Sequence, residues 1–211
     1  MVDKDQLDTF NRFFKVSRET IRSLNKYEKL LIKGNKNLNL VGRSTIDKIW
    51  IRHFLDSYQV IDCIEENTYD VFDIGSGAGF PGLVLAIAAK EKGFKIQTHL
   101  IEKSSKKTKF LRETINELKL DVEVINENVF EYQSKIKDAV FVARAFKPLE
   151  VFLELMHKIC HNWKKIIIFM GKTGESELLQ ASKTWNIEYK KRVSVTNSDS
   201  IILEISRYKK K

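Results

Sequence analysis

The sequence predicts an α/β protein with a mostly parallel sheet of seven strands, a C-terminal antiparallel hairpin and an N-terminal helical extension. Three observations support this prediction. Before Tyr69, apolar residues recur at three- and four-residue spacing, as in amphipathic helices. After Tyr69, short apolar runs alternate with helical patterns, which is typical of parallel strands joined by right-handed crossovers. The last two strand candidates are separated by a polar turn, which predicts a hairpin.

Residues 1–68 are predicted to form a helical extension packed on the core, and residues 69–211 to form that core as one compact unit. Residues 37–41 predict an extended link after the second helix, and Ser44 or Thr45 is expected to cap a further helix. The apolar positions of these helices are Leu7, Phe10, Phe14, Ile21, Leu24, Tyr27, Leu31, Ile46, Ile49, Trp50, Phe54, Leu55 and Tyr58.

The core is predicted from five parallel strands and a closing hairpin. The parallel strands are residues 70–74, 95–101, 121–125, 138–143 and 165–170. The helices predicted around them include residues 106–118, 149–162 and 175–184. The hairpin pairs residues 187–195 with residues 200–207 around a turn at 197–199.

The loop after the first strand, with the sequence DIGSGAGFPG over residues 73–82, matches two cofactor-binding patterns. Residues 77–82 fit the dinucleotide pattern G-x-G-x-x-G. Residues 75–79, led by Asp73, fit the loop of S-adenosylmethionine (SAM) methyltransferases. In both cases glycine permits positive φ and lets a ligand approach the backbone closely. A tight turn that binds no ligand is the third interpretation.

Composition limits the class of protein. The 211 residues include 43% hydrophobic residues and carry a formal net charge of +9. No apolar run approaches the roughly 18–20 residues of a membrane span, and the charged N-terminus lacks the apolar segment of a signal peptide. Cys63 and Cys160 show no metal-ligand spacing and are expected to be buried thiols in a reducing cytoplasm. We therefore expect a cytoplasmic protein that uses neither a membrane nor a metal.

The basic residues form two clusters that favour a polyanionic partner such as nucleic acid. A solvated helix face or tail is the alternative for each. One cluster follows the second strand, and the other lies near the C-terminus: Lys103, Lys106, Lys107, Lys109 and Arg112, then Lys190, Lys191, Arg192, Arg207 and Lys209–Lys211.

Ligands of such sheets bind at the carboxyl ends of the strands. Asp73 is expected to hold a cationic or hydroxylated ligand and also to brace the glycine loop. Glu102 ends the second strand, 27 residues after Gly75, and suits hydrogen bonds from ribose hydroxyls. Its alternative role is that of an acid at a helix N-terminus. Val129 and Phe130, after the third strand, are expected to offer an amide to an adenine edge and an apolar side chain to its face.

The fourth strand end lacks two familiar catalytic devices. Amino-group methyltransferases have a motif there that consists of a polar residue, two consecutive prolines and an aromatic residue. This motif is absent, because Pro81 and Pro148 are the only prolines and are not adjacent. Methylation of a pyrimidine at carbon 5 needs a cysteine nucleophile to activate the ring, and neither cysteine lies on a predicted catalytic loop. The target atom should therefore be nucleophilic already, as guanine N7 is, or be a hydroxyl with its own base. Arg144 is the candidate catalytic residue; it would anchor a phosphate, bond guanine O6 or hold the cofactor pocket together, and a structural salt bridge is the alternative.

With these residues assembled, the chain resembles the RsmG (GidB) family, the 16S ribosomal RNA guanine-N7 methyltransferases, over nearly its whole length. That family has the class I SAM-dependent methyltransferase fold, which is Rossmann-like, and modifies one guanine of a decoding-region loop. The matching motifs are Asn39-Leu40, RHFLDS at 52–57, the glycine loop at 73–82, Lys106, FLR at 110–112, ELKL at 117–120, Arg144-Ala145-Phe146 and Gly171-Lys172.

The resemblance implies SAM as cofactor and 16S rRNA or the small ribosomal subunit as partner. A monomer is expected. It implies that Gly75, Phe80, the Val129-Phe130 pair and Arg144 contact SAM, and that Glu102 holds the ribose. Gly77 belongs to the same loop. His53 is expected either to roof the active site or to form a structural pair with Asp56, and Lys106 and Lys172 are candidate phosphate contacts at the rim.

Three other functions stay open from the sequence. The first is a SAM-dependent methyltransferase of another substrate, and the second is an NAD-type oxidoreductase that uses residues 77–82. The third is an RNA-binding module with a vestigial pocket. Salt dependence of RNA affinity tests the first, since phosphate contacts produce a salt slope. Separate titrations with SAM and NAD test the second.

Overall fold

The computed structural model describes residues 4–132, 136–160 and 162–211. Its strands are β1 (Asp70–Ile74), β2 (Gln97–Ile101), β3 (Val122–Ile125), β4 (Lys137–Arg144), β5 (Asn162–Met170), β6 (Trp185–Ser194) and β7 (Asn197–Lys210). They form one sheet in the order β3-β2-β1-β4-β5-β7-β6. The first five strands run parallel, and β7 is antiparallel to both β5 and β6. The predicted fold class is confirmed.

Helices cover both faces of the sheet and the N-terminal region. They are α1 (Lys4–Phe13), α2 (Arg18–Asn35), α3 (Asp56–Tyr58), α4 (Gly82–Lys92), α5 (Ser105–Leu118), α6 (Leu149–Ile159) and α7 (Gly174–Thr184). A 3₁₀ segment (Arg43–Lys48) and a π-helical segment (Trp50–Leu55) lead into α3, and a 3₁₀ turn (Ile61–Cys63) follows it.

Strand register aligns the carboxyl ends of the central strands. β1 lies between β2 and β4, so that Asp73 is opposite both Leu100 and Val142. On the other side of β4, Arg144 pairs with Phe169 of β5. Because parallel strands end on the same edge, the loops after β1, β2, β4 and β5 meet there.

The predicted helix over residues 149–162 is too long. α6 ends at Ile159, and Asn162 already begins β5 opposite Lys137 of β4. Apolar residues continue from α6 into β5, so helical spacing alone did not reveal where the helix ends.

The hairpin turn lies two residues before its predicted position. Ser194 pairs with Asn197 across a turn at residues 195–196, so Asn197 and Asp199 belong to β7. The side chain of Asn197 accepts the backbone amide of Asp199 at 3.1 Å. Residues 197–199 therefore have the composition of a polar turn and form a local side-chain bond, although they lie at the start of β7.

The capped helix predicted after Ser44 or Thr45 is also wrong. The 3₁₀ segment begins after Gly42, with no side-chain cap, and the hydroxyl of Thr45 donates to the Gly42 carbonyl at 2.8 Å. The following π-helical segment widens the backbone where Trp50, His53, Phe54 and Leu55 are buried. π-helical insertions are frequent at functional sites.

The N-terminal extension shares a hydrophobic cluster with one face of the sheet. The ring of Phe10 packs edge-on against Trp50 and Tyr58, and the cluster continues to Leu83 of α4. Tyr27 of α2 donates its hydroxyl to the Ala78 carbonyl at 2.6 Å, which attaches the extension to the glycine loop. Within the described ranges, no helix combines the length and apolarity needed to cross a membrane.

Candidate active site

The glycine loop between β1 and α4 is wound by three residues with positive φ: Gly75 (72°), Gly77 (59°) and Gly79 (102°). The amides of Gly75 and Ser76 both donate to the Ile101 carbonyl, which ties the loop to the end of β2. A Cβ added at Gly77 would meet nothing closer than the Gly75 oxygen at 3.9 Å. Gly77 therefore faces open space, and its bare backbone can receive a ligand.

Asp73 braces the loop from inside the protein. Its carboxyl is fully buried, and Oδ2 accepts the Gly82 amide at 2.8 Å. Oδ1 has no hydrogen-bond partner among the described residues. Burial raises the pKa of Asp73 to about 7. Of its two predicted roles, the geometry shows the bracing one.

The raised pKa of Asp73 predicts a pH-dependent stability. Because the folded state holds the proton up to about pH 7 while the unfolded chain releases it near pH 4, this group stabilises the fold most at low pH. That contribution declines by about 1.4 kcal/mol per pH unit between pH 4 and 7. Urea unfolding of wild type and Asp73→Asn should therefore show a stability difference that changes over this window and is flat above it. A difference independent of pH would contradict the assignment.

Glu102 lies beside the open face of Gly77. Its Oε2 accepts the Gly77 amide at 3.0 Å, and its Oε1 accepts the Ser104 amide at 2.8 Å. The carboxylate is buried and held in place by these two bonds. Each oxygen still has a lone pair available for a further donor. The predicted ribose-binding acid is thus fixed next to the space that a ligand would occupy.

Two aromatic side chains flank the same space. The ring of Phe130 is half exposed and stacks on Phe146 with centroids 6.0 Å apart, whereas Val129 is buried. The Phe146 ring lies against Gly75, since a Cβ added there would meet it at 2.4 Å. Phe146 therefore connects the loops after β1, β3 and β4.

Arg144 is held by the N-terminal extension. Its Nη1 donates to the Arg52 carbonyl at 3.2 Å and pairs with Asp56 at 3.4 Å, and its Nη2 lies 3.0 Å from His53 Nδ1. The guanidinium also lies over the ring of Phe80, 4.8 Å from its centroid. Phe80 is itself buried between Tyr27 and His53.

His53 is a neutral partner in this cluster. Because Arg144 donates to Nδ1, the proton belongs on Nε2, which donates to the Thr45 hydroxyl at 2.9 Å. Burial, together with the charges of Arg144 and Arg52, lowers the pKa of His53 to about 3. The predicted pair with Asp56 takes an indirect form, in which both side chains contact Arg144.

Sequence reasoning missed the anchoring of Asp56. Its Oδ1 accepts the hydroxyls of Ser194 and Thr196, each at 2.9 Å, and the side-chain amide of Gln59 at 3.0 Å. These contacts join the extension to the β6–β7 turn. Nothing in the sequence spacing signals them, because Asp56 and Thr196 lie 140 residues apart.

The candidate phosphate contacts lie on separate parts of the carboxyl edge. Lys106 is exposed in the first turn of α5, after β2, and Lys172 is exposed after β5. In the C-terminal cluster, Lys191 pairs with Glu175 and Lys210 with Glu154. The described parts of the chain contain no group of three acidic, histidine or cysteine side chains placed to hold a metal.

The chain is similar in sequence to known proteins. Residues 20–204 match the family model GidB, described as rRNA small subunit methyltransferase G. The ribosomal RNA small subunit methyltransferase G of Pelagibacter ubique is 38% identical over 198 residues, which cover 93% of this chain and 92% of the relative. The protein of the same name from Paramagnetospirillum magneticum is 36% identical over 195 residues, covering 91% and 92%.

Two solved structures are similar in fold. One is M. capricolum TrmK in complex with S-adenosyl-homocysteine, with a TM-score of 0.54, 18% identity and coverage of 71% of this chain and 66% of that one. The other is the ribosomal protein L11 methylase of Lactobacillus delbrueckii subsp. bulgaricus, with a TM-score of 0.53, 21% identity and coverage of 72% and 76%. At these identities the likeness concerns the fold alone.

Proposed function

Because the chain belongs to the GidB family, the rRNA small subunit methyltransferases G, we propose that it transfers the methyl group of SAM to N7 of one guanine in 16S rRNA. The observation that carries the proposal is the open face of Gly77 beside the fixed carboxylate of Glu102. We further propose that it acts as a cytoplasmic monomer on the small ribosomal subunit or its RNA.

The residues present suit SAM. Gly75 and Gly77 would let its methionine part lie on the backbone, and Glu102 would accept its ribose hydroxyls. Phe130 and the Val129 amide would hold its adenine. When bound, SAM supplies a methyl group on a positively charged sulfur. Asp73 and Phe80 would act from beneath the loop, since both are buried there.

Guanine N7 suits this site, because neither His53 nor Asp73 is placed to act as a base. N7 has a lone pair and no proton, so its methylation requires alignment and exclusion of water but no proton transfer. His53 is neutral with both ring nitrogens hydrogen-bonded, and Asp73 is buried below the loop. Both terminal nitrogens of the Arg144 guanidinium are engaged by Arg52, Asp56 and His53, so we propose that Arg144 positions the extension.

Labelled SAM, small-subunit particles and naked 16S rRNA provide the direct test of function. We expect one guanine to acquire label at N7, which borohydride treatment and strand cleavage at the modified base would map. Label on another base, on protein or on a small molecule would overturn the proposal. Equal transfer to unrelated RNA would show that the substrate is not a specific site.

Glu102→Ala is expected to weaken SAM binding by about 1–3 kcal/mol, because the ribose hydroxyls lose a charged acceptor. Calorimetric titration with SAM measures the change, and thermal unfolding reports any loosening of the loop through the Gly77 amide. Glu113→Ala is the control, because Glu113 is an exposed acid of the adjacent helix α5. Equal SAM affinity in both variants would return Glu102 to a helix-terminus role.

A further inference from the structure

A second cavity opens at the carboxyl ends of β4 and β5, beside the space assigned to SAM. It has a volume of about 270 Å³, and the rings of Phe146 and Phe152, with Pro148, form an aromatic and apolar wall. Phe146 and Phe152 meet edge to face, with centroids 6.1 Å apart. Phe146 also touches Gly75, so its ring borders both this cavity and the glycine loop.

The polar end of the cavity carries a fixed carboxylate. Glu177 of α7 accepts the Leu149 amide through Oε2 at 3.1 Å and the Thr173 hydroxyl through Oε1 at 2.6 Å. Both Glu177 and Thr173 line the cavity. Lys147 also lines the cavity, but among the described residues no lysine or arginine forms a salt bridge with Glu177. Each oxygen therefore keeps a lone pair for a donor that enters the cavity.

We propose that this cavity receives the target guanine, turned out of its RNA, and that Glu177 reads its Watson–Crick edge. The inference rests on the proposed function and adds the residue that selects the base. Guanine presents N1–H and the 2-amino group side by side, and one carboxylate accepts both. Adenine presents an acceptor at N1 and is rejected. Extruded bases are commonly read at this edge and stacked on aromatic side chains.

The sheet order determines how the guanine is oriented in the cavity. The strands run β1-β4-β5, with the glycine loop after β1, Phe146 after β4, and Glu177 beyond β5. In guanine, N7 lies across the ring system from the 2-amino group. A base whose N1 and 2-amino groups face Glu177 therefore directs N7 past Phe146 toward the glycine loop. The arrangement selects N7 for methylation and leaves N1 and the 2-amino group occupied.

Inosine in place of the target guanosine tests the proposal, because inosine lacks only the 2-amino group and keeps N7. Wild type is expected to prefer guanosine in kcat/KM by roughly 10- to 100-fold, the effect of one hydrogen bond to a charged group. Glu177→Ala should reduce this preference to below about 3-fold. Glu175→Ala, in the same helical turn but paired with Lys191 outside the cavity, should keep the wild-type preference.

Glu177→Gln is the control for the structural role of this side chain, which is to accept the Leu149 amide. Its amide oxygen still accepts the Leu149 amide, so the start of α6 is preserved while one acceptor for guanine becomes a donor. We expect it to fold like wild type and to lose the guanosine preference. A wild-type preference in either folded variant would overturn the proposal. Absence of transfer by wild type to guanosine RNA would instead refute the proposed function, and the inference with it.

Discussion

Gly77→Ala is expected to weaken SAM binding by about 3 kcal/mol or more, roughly 150-fold, while the protein remains folded. The new methyl group would enter the open space beside Glu102, where the proposed cofactor approaches the backbone. No protein atom lies close enough to be displaced, since the nearest neighbour is the Gly75 oxygen at 3.9 Å. The loss of affinity would thus come from a steric clash between the added methyl group and SAM.

Gly93→Ala is a matched control for this change. Gly93 caps the C-terminus of α4 with φ of 71°, close to the 59° of Gly77, and a Cβ there meets nothing within 4 Å. Each substitution should therefore cost about 1–2 kcal/mol of stability through positive φ. Only Gly77→Ala should reduce SAM affinity in calorimetric titration. Equal affinities would show that the glycine loop is not the cofactor cradle.

Gly75 is a less informative position for the same test. A Cβ there would meet the Phe146 ring at 2.4 Å, so a larger residue would displace a side chain that also borders the second cavity. Loss of SAM binding in a Gly75 variant would combine two effects. The sequence presents Gly75 and Gly77 as equivalent loop glycines, and only the contacts in three dimensions distinguish them.

The strands and the glycine loop were predictable because their signals are local. Each core strand is a short apolar run, and positive φ at Gly75, Gly77 and Gly79 follows from glycine at alternate positions of a tight turn. The segment at 43–58 was mispredicted as one capped helix. Its hydrophobic positions fit helical spacing, but Thr45 hydrogen-bonds to Gly42 and His53 in place of capping a helix.

The surroundings of Arg144 were beyond sequence reasoning for a different reason. His53 and Asp56 stand three residues apart, and local spacing favoured a direct pair between them. Their shared partner comes from β4, 91 and 88 residues away respectively. The Asp56 contacts to the β6–β7 turn are equally remote. Contacts of this kind follow from the sheet order, which places the end of β4 under the extension.

Arg144→Ala is expected to destabilise the protein by about 3–5 kcal/mol, the typical cost of breaking a buried ion pair. The Arg144 and Asp56 side chains are 16% and 15% exposed, so water replaces the lost partner poorly. The change would also leave the Arg52 carbonyl and His53 Nδ1 without their donor. Urea unfolding measures the effect, with Arg112→Ala as control, because Arg112 bonds an exposed carbonyl of β3. Similar costs in both variants would contradict the prediction.

Arg144→Lys separates a positioning role from direct contact with the substrate. A single ammonium group keeps the positive charge near Asp56 but does not span the Arg52 carbonyl, Asp56 and His53 together. We therefore expect it to recover less than half of the lost stability. If Arg144 acts through the extension, methyl transfer measured well below the unfolding midpoint should recover along with stability. A folded Arg144→Lys protein that binds SAM normally yet transfers no methyl group would show that the guanidinium contacts guanine itself.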